Sequence, residues 1–160
     1  MPSNKEFVLQ LGIQSVTKDG EPGLKDYSAK KEQSRQCVGL LNQVIIDAYN
    51  LTCDTNEVWL YSGAIKHIKK HHPGIYEKYE IHISSIIESP DYVGRNPKEP
   101  NSVELYKKVD NNLLLAIKLD PSGYFFLSSL YDLNNAETKI AKRLRSGRIV
   151  AFSDIVSKEK

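Results

Sequence analysis

The sequence predicts an α+β domain in which helices cover an antiparallel sheet. Three observations carry that prediction. Segments with apolar residues at three-and-four spacing come first along the chain, and apolar β-prone runs follow one another in its second half. Two of those runs flank Asp120-Pro121-Ser122-Gly123, a tight turn that joins them as a hairpin. With 160 residues, 40% hydrophobic and 26% charged, the chain suits one core of fair size and has the balance of a globular protein.

The elements follow in order. Glu6 to Val16 alternates apolar and polar residues like a half-buried strand, Asp19 to Gly23 is turn chemistry, and Ser28 to Gln36 is polar. Residues 1–35 therefore read as an N-terminal strand or arm, set apart from a domain over 36–160. Val38 to Tyr49 carries Leu41, Val44, Ile45 and Ala48 at helical spacing. Glu57 to Tyr61 is short and β-prone; Ser62 is placed to cap a helix from about Gly63 to His71. Pro73-Gly74 ends that helix and opens another from about Ile75 to Ile87, with Ile81 and Ile83 to Ile87 on its buried side.

Ser89 to Lys98 contains Pro90 and Pro97, which favour an edge strand with turns. Val103 to Val109, Leu113 to Leu119 and Tyr124 to Leu130 are strand-like, and Ala136, Ile140 and Leu144 predict a closing helix from Asn135 to Leu144. No apolar run approaches the roughly 18 residues of a membrane span. Met-Pro-Ser-Asn-Lys-Glu has no apolar signal core. Cys37 and Cys53 lack any zinc-type spacing and read as small buried hydrophobes, so a cytoplasmic setting is expected.

Net charge is only +2, so affinity for a polyanion has to come from local clusters. The densest is Ile65 to His72, with three of the four histidines and three lysines before Pro73. Imidazoles exchange protons near neutral pH, and lysines hold a polyanion close. Three readings compete. One is a solvated basic helix end that suits the macrodipole. Another is a metal site on His67 and His71, against which stand the missing glutamate base, the missing third ligand and the repelling lysines. The third is a histidine that moves a proton at, or contacts, a phosphate.

A wider pattern bears on the choice. Ala64-Ile65-x-His67-Ile68, His72-Pro73, Ile86-Ile87-x-x-Pro90-Asp91-Tyr92-Val93-Gly94-x-Asn96-Pro97-Lys98, Leu115-Ala116-Ile117-Lys118 and Phe126 to Tyr131 occur in this order. Val38-Gly39 and Arg145-Ser146-Gly147-Arg148 also fit. Over roughly Cys37 to Ile149 the chain resembles the phage-encoded barnase–EndoU–colicin–RelE-like (BECR-like) nucleases. The resemblance implies helices packed on a curved antiparallel sheet of four or five strands. It further implies an endoribonuclease of phage, prophage or toxin type, with no metal or other cofactor. In such enzymes the ribose 2′-hydroxyl attacks the adjacent phosphate and leaves a 2′,3′-cyclic end. RNA, by analogy tRNA, is the implied partner, together with a neutralising antitoxin or immunity protein, and no membrane. The chain departs from the pattern by offering both His71 and His72 at the His-Pro position and by lacking an obvious carboxylate base in the matching segments. A catalytically silent, nucleic-acid- or protein-binding inhibitor of host machinery is the alternative.

Candidate catalytic residues are His72, where the His-Pro match falls, then His67, Lys118 as a cation in an apolar strand, and Ser129. Strand alternation puts Ser129 and Tyr131 on one face with Phe125 and Leu127. Candidate RNA-binding residues are Arg95 and Lys98 on the Tyr92-Val93-Gly94 loop, and Lys139 and Arg143 on the closing helix, read as opposite its apolar stripe. Some of the nine tyrosines are candidates for stacking on unpaired bases.

Overall fold

The computed structural model describes residues 34–158. The strand expected at Glu6 to Val16, and nearly all of the arm at 1–35, lie outside the described residues. In chain order the elements are β1 (Arg35–Leu40), α1 (Gln43–Ala48), β2 (Glu57–Tyr61), α2 (Ser62–His71), α3 (Ile75–Tyr79), a 3₁₀ turn (Glu80–His82) and α4 (Ile83–Glu88). They continue with β3 (Tyr92–Gly94), β4 (Ser102–Lys108), β5 (Asn112–Leu119), β6 (Phe125–Asp132), α5 (Ala136–Ser146), β7 (Ile149–Ala151) and α6 (Phe152–Lys158).

The fold is α+β, as expected, around one seven-stranded sheet in the order β1-β2-β6-β5-β4-β3-β7. All neighbours run antiparallel except β2 and β6, which are parallel through Val58↔Phe125 and Trp59↔Phe126. The sheet is therefore mixed, and larger than the four or five strands expected. The described N-terminal portion opens on a strand, not a helix.

Three local expectations change for physical reasons. Gly39 and Leu40 pair with β2 instead of starting a helix, with Val38 the extra residue of a bulge after Cys37, and α1 begins only after Asn42, whose side chain accepts from the Val44 N–H at 2.9 Å. Gly39 permits this strand to sit against α4, since a Cβ there would lie 3.3 Å from Ile87. Ser62 is the first helical residue, and the cap position falls on Tyr61 without a side-chain bond. The helix expected at Ile75 to Ile87 is interrupted by the 3₁₀ turn, which shifts its phase. Ile81 is consequently 80% exposed while Ile83, Ile86 and Ile87 are buried.

At the far edge, β3 is an interior strand between β4 and β7, with Pro90 and Pro97 outside its paired residues. β7 is three residues long, too short to show a period, and α6 follows it directly. The main core lies between one sheet face, with Leu105, Leu115, Ile117 and Leu127, and the helices, with Ile45, Ile68, Ile86 and Ile87. Each such side chain contributes about 1.5–3 kcal/mol on burial. A smaller cluster on the opposite face packs Ile140 of α5 with Tyr106, Leu114 and Ile149.

β6 links the two faces. Ala116 pairs with Ser129 but Ile117 pairs with Leu127, so Ser128 is an extra residue, a β-bulge. Phe125, Leu127 and Leu130 all enter the main core, while Tyr131 packs with the opposite cluster. Simple alternation placed Ser129 and Tyr131 with Phe125 and Leu127; the inserted residue turns them to the other face.

Candidate active site

The face under α5 holds the site. Register puts Gly94, Glu104, Ala116 and Ser129 in one row across β3, β4, β5 and β6, and Tyr92, Tyr106, Leu114 and Tyr131 in the next. Neighbouring strands lie about 4.8 Å apart, so Glu104 and Ser129 flank the small Ala116 at a separation on the order of 10 Å.

Glu104 is a carboxylate beside the Tyr106, Leu114, Ile140 and Ile149 cluster, only 5% exposed. A buried charge needs a partner, and Arg148 provides it. Its Nε donates to Oε1 at 3.2 Å and its Nη2 to Oε2 at 2.8 Å, a two-pronged pairing that matches guanidinium to carboxylate. Tyr106 Oη donates to Oε1 at 2.9 Å, and Arg143 Nη1 donates to Tyr106 Oη at 2.8 Å. Oε1 thus accepts two bonds and Oε2 one, which leaves Oε2 with acceptor capacity. Burial pushes the Tyr106 phenol far above its ordinary value, and the adjacent Glu104 raises it further. The Arg148 guanidinium is held charged chiefly by its hydrogen bonds to Glu104.

Chain reversal after α5 delivers Arg148. Gly147 takes φ 81°, a left-handed helix end that glycine adopts without strain, and Arg148 follows just before β7. β7 then pairs with β3, and Gly94 lets the two approach closely, since a Cβ there would sit 2.3 Å from the Arg148 carbonyl oxygen.

His72 enters from the other side. Beyond Phe126, β6 no longer pairs with β2, and α2 packs against it. The residue before a proline disfavours helical backbone, so His72 terminates α2 with φ −136° and ψ 70°. Its ring stacks on Tyr131, with centroids 4.9 Å apart and planes at 18°. Burial holds the His72 imidazole below its ordinary value, and the neighbouring His71 and His67 lower it further, against a smaller opposing effect of Asp132. Tyr131 connects the two groups: burial raises its phenol first and Glu104 second, while Arg143 and Arg148 act in the opposite direction.

The residues expected from the sequence thus fall into two sets. His72, Ser129 and Arg143 share this face. Arg143 lies on the sheet side of α5, bonded to Tyr106, and not opposite the apolar stripe; Lys139 is one turn earlier and half-buried. Lys118 points from the same face, but its Nζ pairs with Glu99 at 3.1 Å. His67 faces His71, with ring centroids 4.4 Å apart, and acts on His72 only through its field.

Arg95 is elsewhere. Its Nη2 donates to the Tyr49 carbonyl at 2.7 Å and its guanidinium lies 5.0 Å from the Tyr49 ring centre, tying the end of α1 to the segment after β3. Lys98 is exposed in its loop. Cys37 is exposed and Cys53 half-buried, both free, so the expectation of two buried thiols fails at Cys37, which lies on an edge strand. Glu104, Tyr106 and Arg148 are the candidate site residues that sequence reading did not assemble as a set. The carboxylate absent from the local motifs is Glu104, in the alternating Val103 to Val109 run. That alternation signals its polar face, but nothing local signals a partner 44 positions away.

One face of the seven-stranded sheet thus carries a buried carboxylate, with two arginines and a stacked histidine gathered around it. The chain matches the phage-Barnase-EndoU-ColicinE5/D-RelE like nuclease3 family over residues 35–141 and belongs to it. No curated protein and no solved structure matches it. Arg143 and Arg148 lie beyond the matched span.

Proposed function

We propose that this domain is an endoribonuclease that cleaves RNA by internal transfer, without a metal ion. The observation that carries the reading is the position of Tyr131. It stacks under His72 and lies in the combined field of Glu104, Arg143 and Arg148, so proton-transfer groups and phosphate-binding cations converge on one face. Oε2 of Glu104 accepts the proton of the ribose 2′-hydroxyl as O2′ bonds to phosphorus. The phosphorus–O5′ bond breaks, and the His72 imidazolium protonates O5′. Arg143 and Arg148, with Lys139 nearby, stabilise the extra charge on the non-bridging oxygens. The products are a 2′,3′-cyclic phosphate and a 5′-hydroxyl. DNA lacks the attacking hydroxyl and is not a substrate for this route.

Digestion of total RNA in EDTA with end-group analysis tests the proposal. Cyclic-phosphate and 5′-hydroxyl ends are expected, with single-stranded DNA intact. RNA left intact favours the binding-only alternative, and 5′-phosphate ends reject the mechanism.

A further inference from the structure

Tyr131 carries a hydroxyl that the fold does not use. Tyr49, Tyr79 and Tyr106 each donate to an acceptor within the protein, the Val93 carbonyl at 3.3 Å, Asp110 at 2.6 Å and Glu104 at 2.9 Å. Tyr131 Oη has no hydrogen-bond partner among the described residues, and yet it is not sealed in. Arg95 Nε is the only buried side-chain nitrogen or oxygen left unsatisfied there. The Tyr131 oxygen is therefore open to a ligand, on a side chain that is otherwise half-buried. Its surroundings define what that ligand would be. Tyr131 shares a row with Tyr106, with Leu114 of β5 between them, and His72 covers one face of its ring. Arg143 and Arg148 act on the phenol from the same sheet face, beside Glu104. Burial first and Glu104 second hold the phenol above its ordinary value, so it keeps its proton and is a donor, not a base. A neutral donor set among two guanidinium groups and an imidazole matches an anion with several acceptor oxygens, and a phosphodiester is such an anion.

We propose that Tyr131 is a further catalytic residue, whose hydroxyl donates a hydrogen bond to a non-bridging oxygen of the scissile phosphate. The inference rests on the nuclease reading and adds to it a neutral donor beside the cations. The non-bridging oxygens gain charge as O2′ bonds to phosphorus, and a donor already held in place strengthens its bond at that moment without reorganising. Ring and hydroxyl divide the work. The ring orients the His72 imidazole by stacking, and the hydroxyl holds the phosphate that the imidazole serves. No proton leaves Tyr131 in the cycle.

Two variants of the full chain separate ring from hydroxyl: Tyr131→Phe keeps the stack and removes the oxygen, and Tyr131→Leu removes both. Cleavage of RNA is measured beside thermal melts and beside binding of labelled 2′-O-methyl oligoribonucleotides, which internal transfer cannot cleave. Tyr131→Phe is expected to melt with wild type, since no acceptor within the protein is lost. Its kcat should fall about 10- to 100-fold, the effect of losing one hydrogen bond to a charged group. The alkaline limb of the pH–rate profile should stay in place for Tyr131→Phe and move up toward 6.5 for Tyr131→Leu, as the imidazole loses its cover. Wild-type cleavage by Tyr131→Phe, a marked fall in its melting temperature, or a limb that moves equally in both variants overturns the proposal and leaves the nuclease reading standing. Wild type that binds the oligoribonucleotide but cleaves no RNA, with Tyr131→Phe binding about tenfold more weakly, keeps the phosphate contact and rejects the nuclease reading. No cleavage by wild type and equal binding by Tyr131→Phe reject both.

Discussion

Arg148 grips Glu104 through two hydrogen bonds, Nε to Oε1 at 3.2 Å and Nη2 to Oε2 at 2.8 Å, and so joins the β7 edge to the middle of the sheet. The Glu104 side chain is 7% exposed and that of Arg148 24%, so the pair works largely away from solvent screening. Such a pair is worth most when one member is removed, because the other is then a buried charge without a partner.

Arg148→Ala is therefore expected to lower stability by about 3 kcal/mol in denaturant titrations. It should also lower cleavage by roughly 100-fold, since the proposed mechanism assigns this cation to the developing phosphate charge. Replacing both members by apolar residues should cost less stability than the two single changes added together.

His72→Ala should reduce kcat by about 10²- to 10⁴-fold with the melting transition nearly unchanged, which is the range for a proton-transferring side chain. His67→Ala should have a much smaller effect, because its ring faces His71 and not Tyr131. Equal losses at both positions would refute the assignment of the proton donor.

The pH profile follows from the lowered His72 value. Under the proposed mechanism cleavage requires the imidazolium, so activity is expected to fall as pH rises through a value below 6.5, with the alkaline limb of kcat/KM there. Stability runs the other way. The unfolded chain binds this proton more readily, so the contribution of neutral His72 is present above 6.5 and is lost as pH falls through the folded value. Profiles of His72→Ala lose both dependences at this position.

Gly94→Ala tests the backbone approach that delivers Arg148. The new methyl would sit 2.3 Å from the Arg148 carbonyl oxygen and 2.5 Å from Ile149 Cγ2, so β3 and β7 must part. A loss of about 1–3 kcal/mol is expected, with a matching fall in cleavage as the guanidinium shifts from Glu104. Unchanged melting and activity would show that β7 can move without consequence.

Local patterns carry some of these features and not others. The Asp120 to Gly123 turn, and the strands at Val103 to Val109, Leu113 to Leu119 and Tyr124 to Leu130, are readable because turn chemistry and period-two alternation are local. His72 is readable because His-Pro both ends a helix and matches a family pattern. The bulge at Ser128 is not readable: one unpaired residue reverses which side chains meet the core, and only pairing with β5 reveals it. The helix expected from Val38 fails because bonds to β2 outweigh its apolar spacing.

Sequence alone determined the fold class, the hairpin, the family resemblance and the placing of a histidine at a helix end. Tertiary structure alone decided which side chains gather beside it. Glu104 and Tyr106 lie far along the chain from Arg143 and Arg148, and the buried carboxylate draws the distant guanidinium because burial leaves it little solvation of its own. That pairing is a property of a folded sheet face, and no short window of residues contains it.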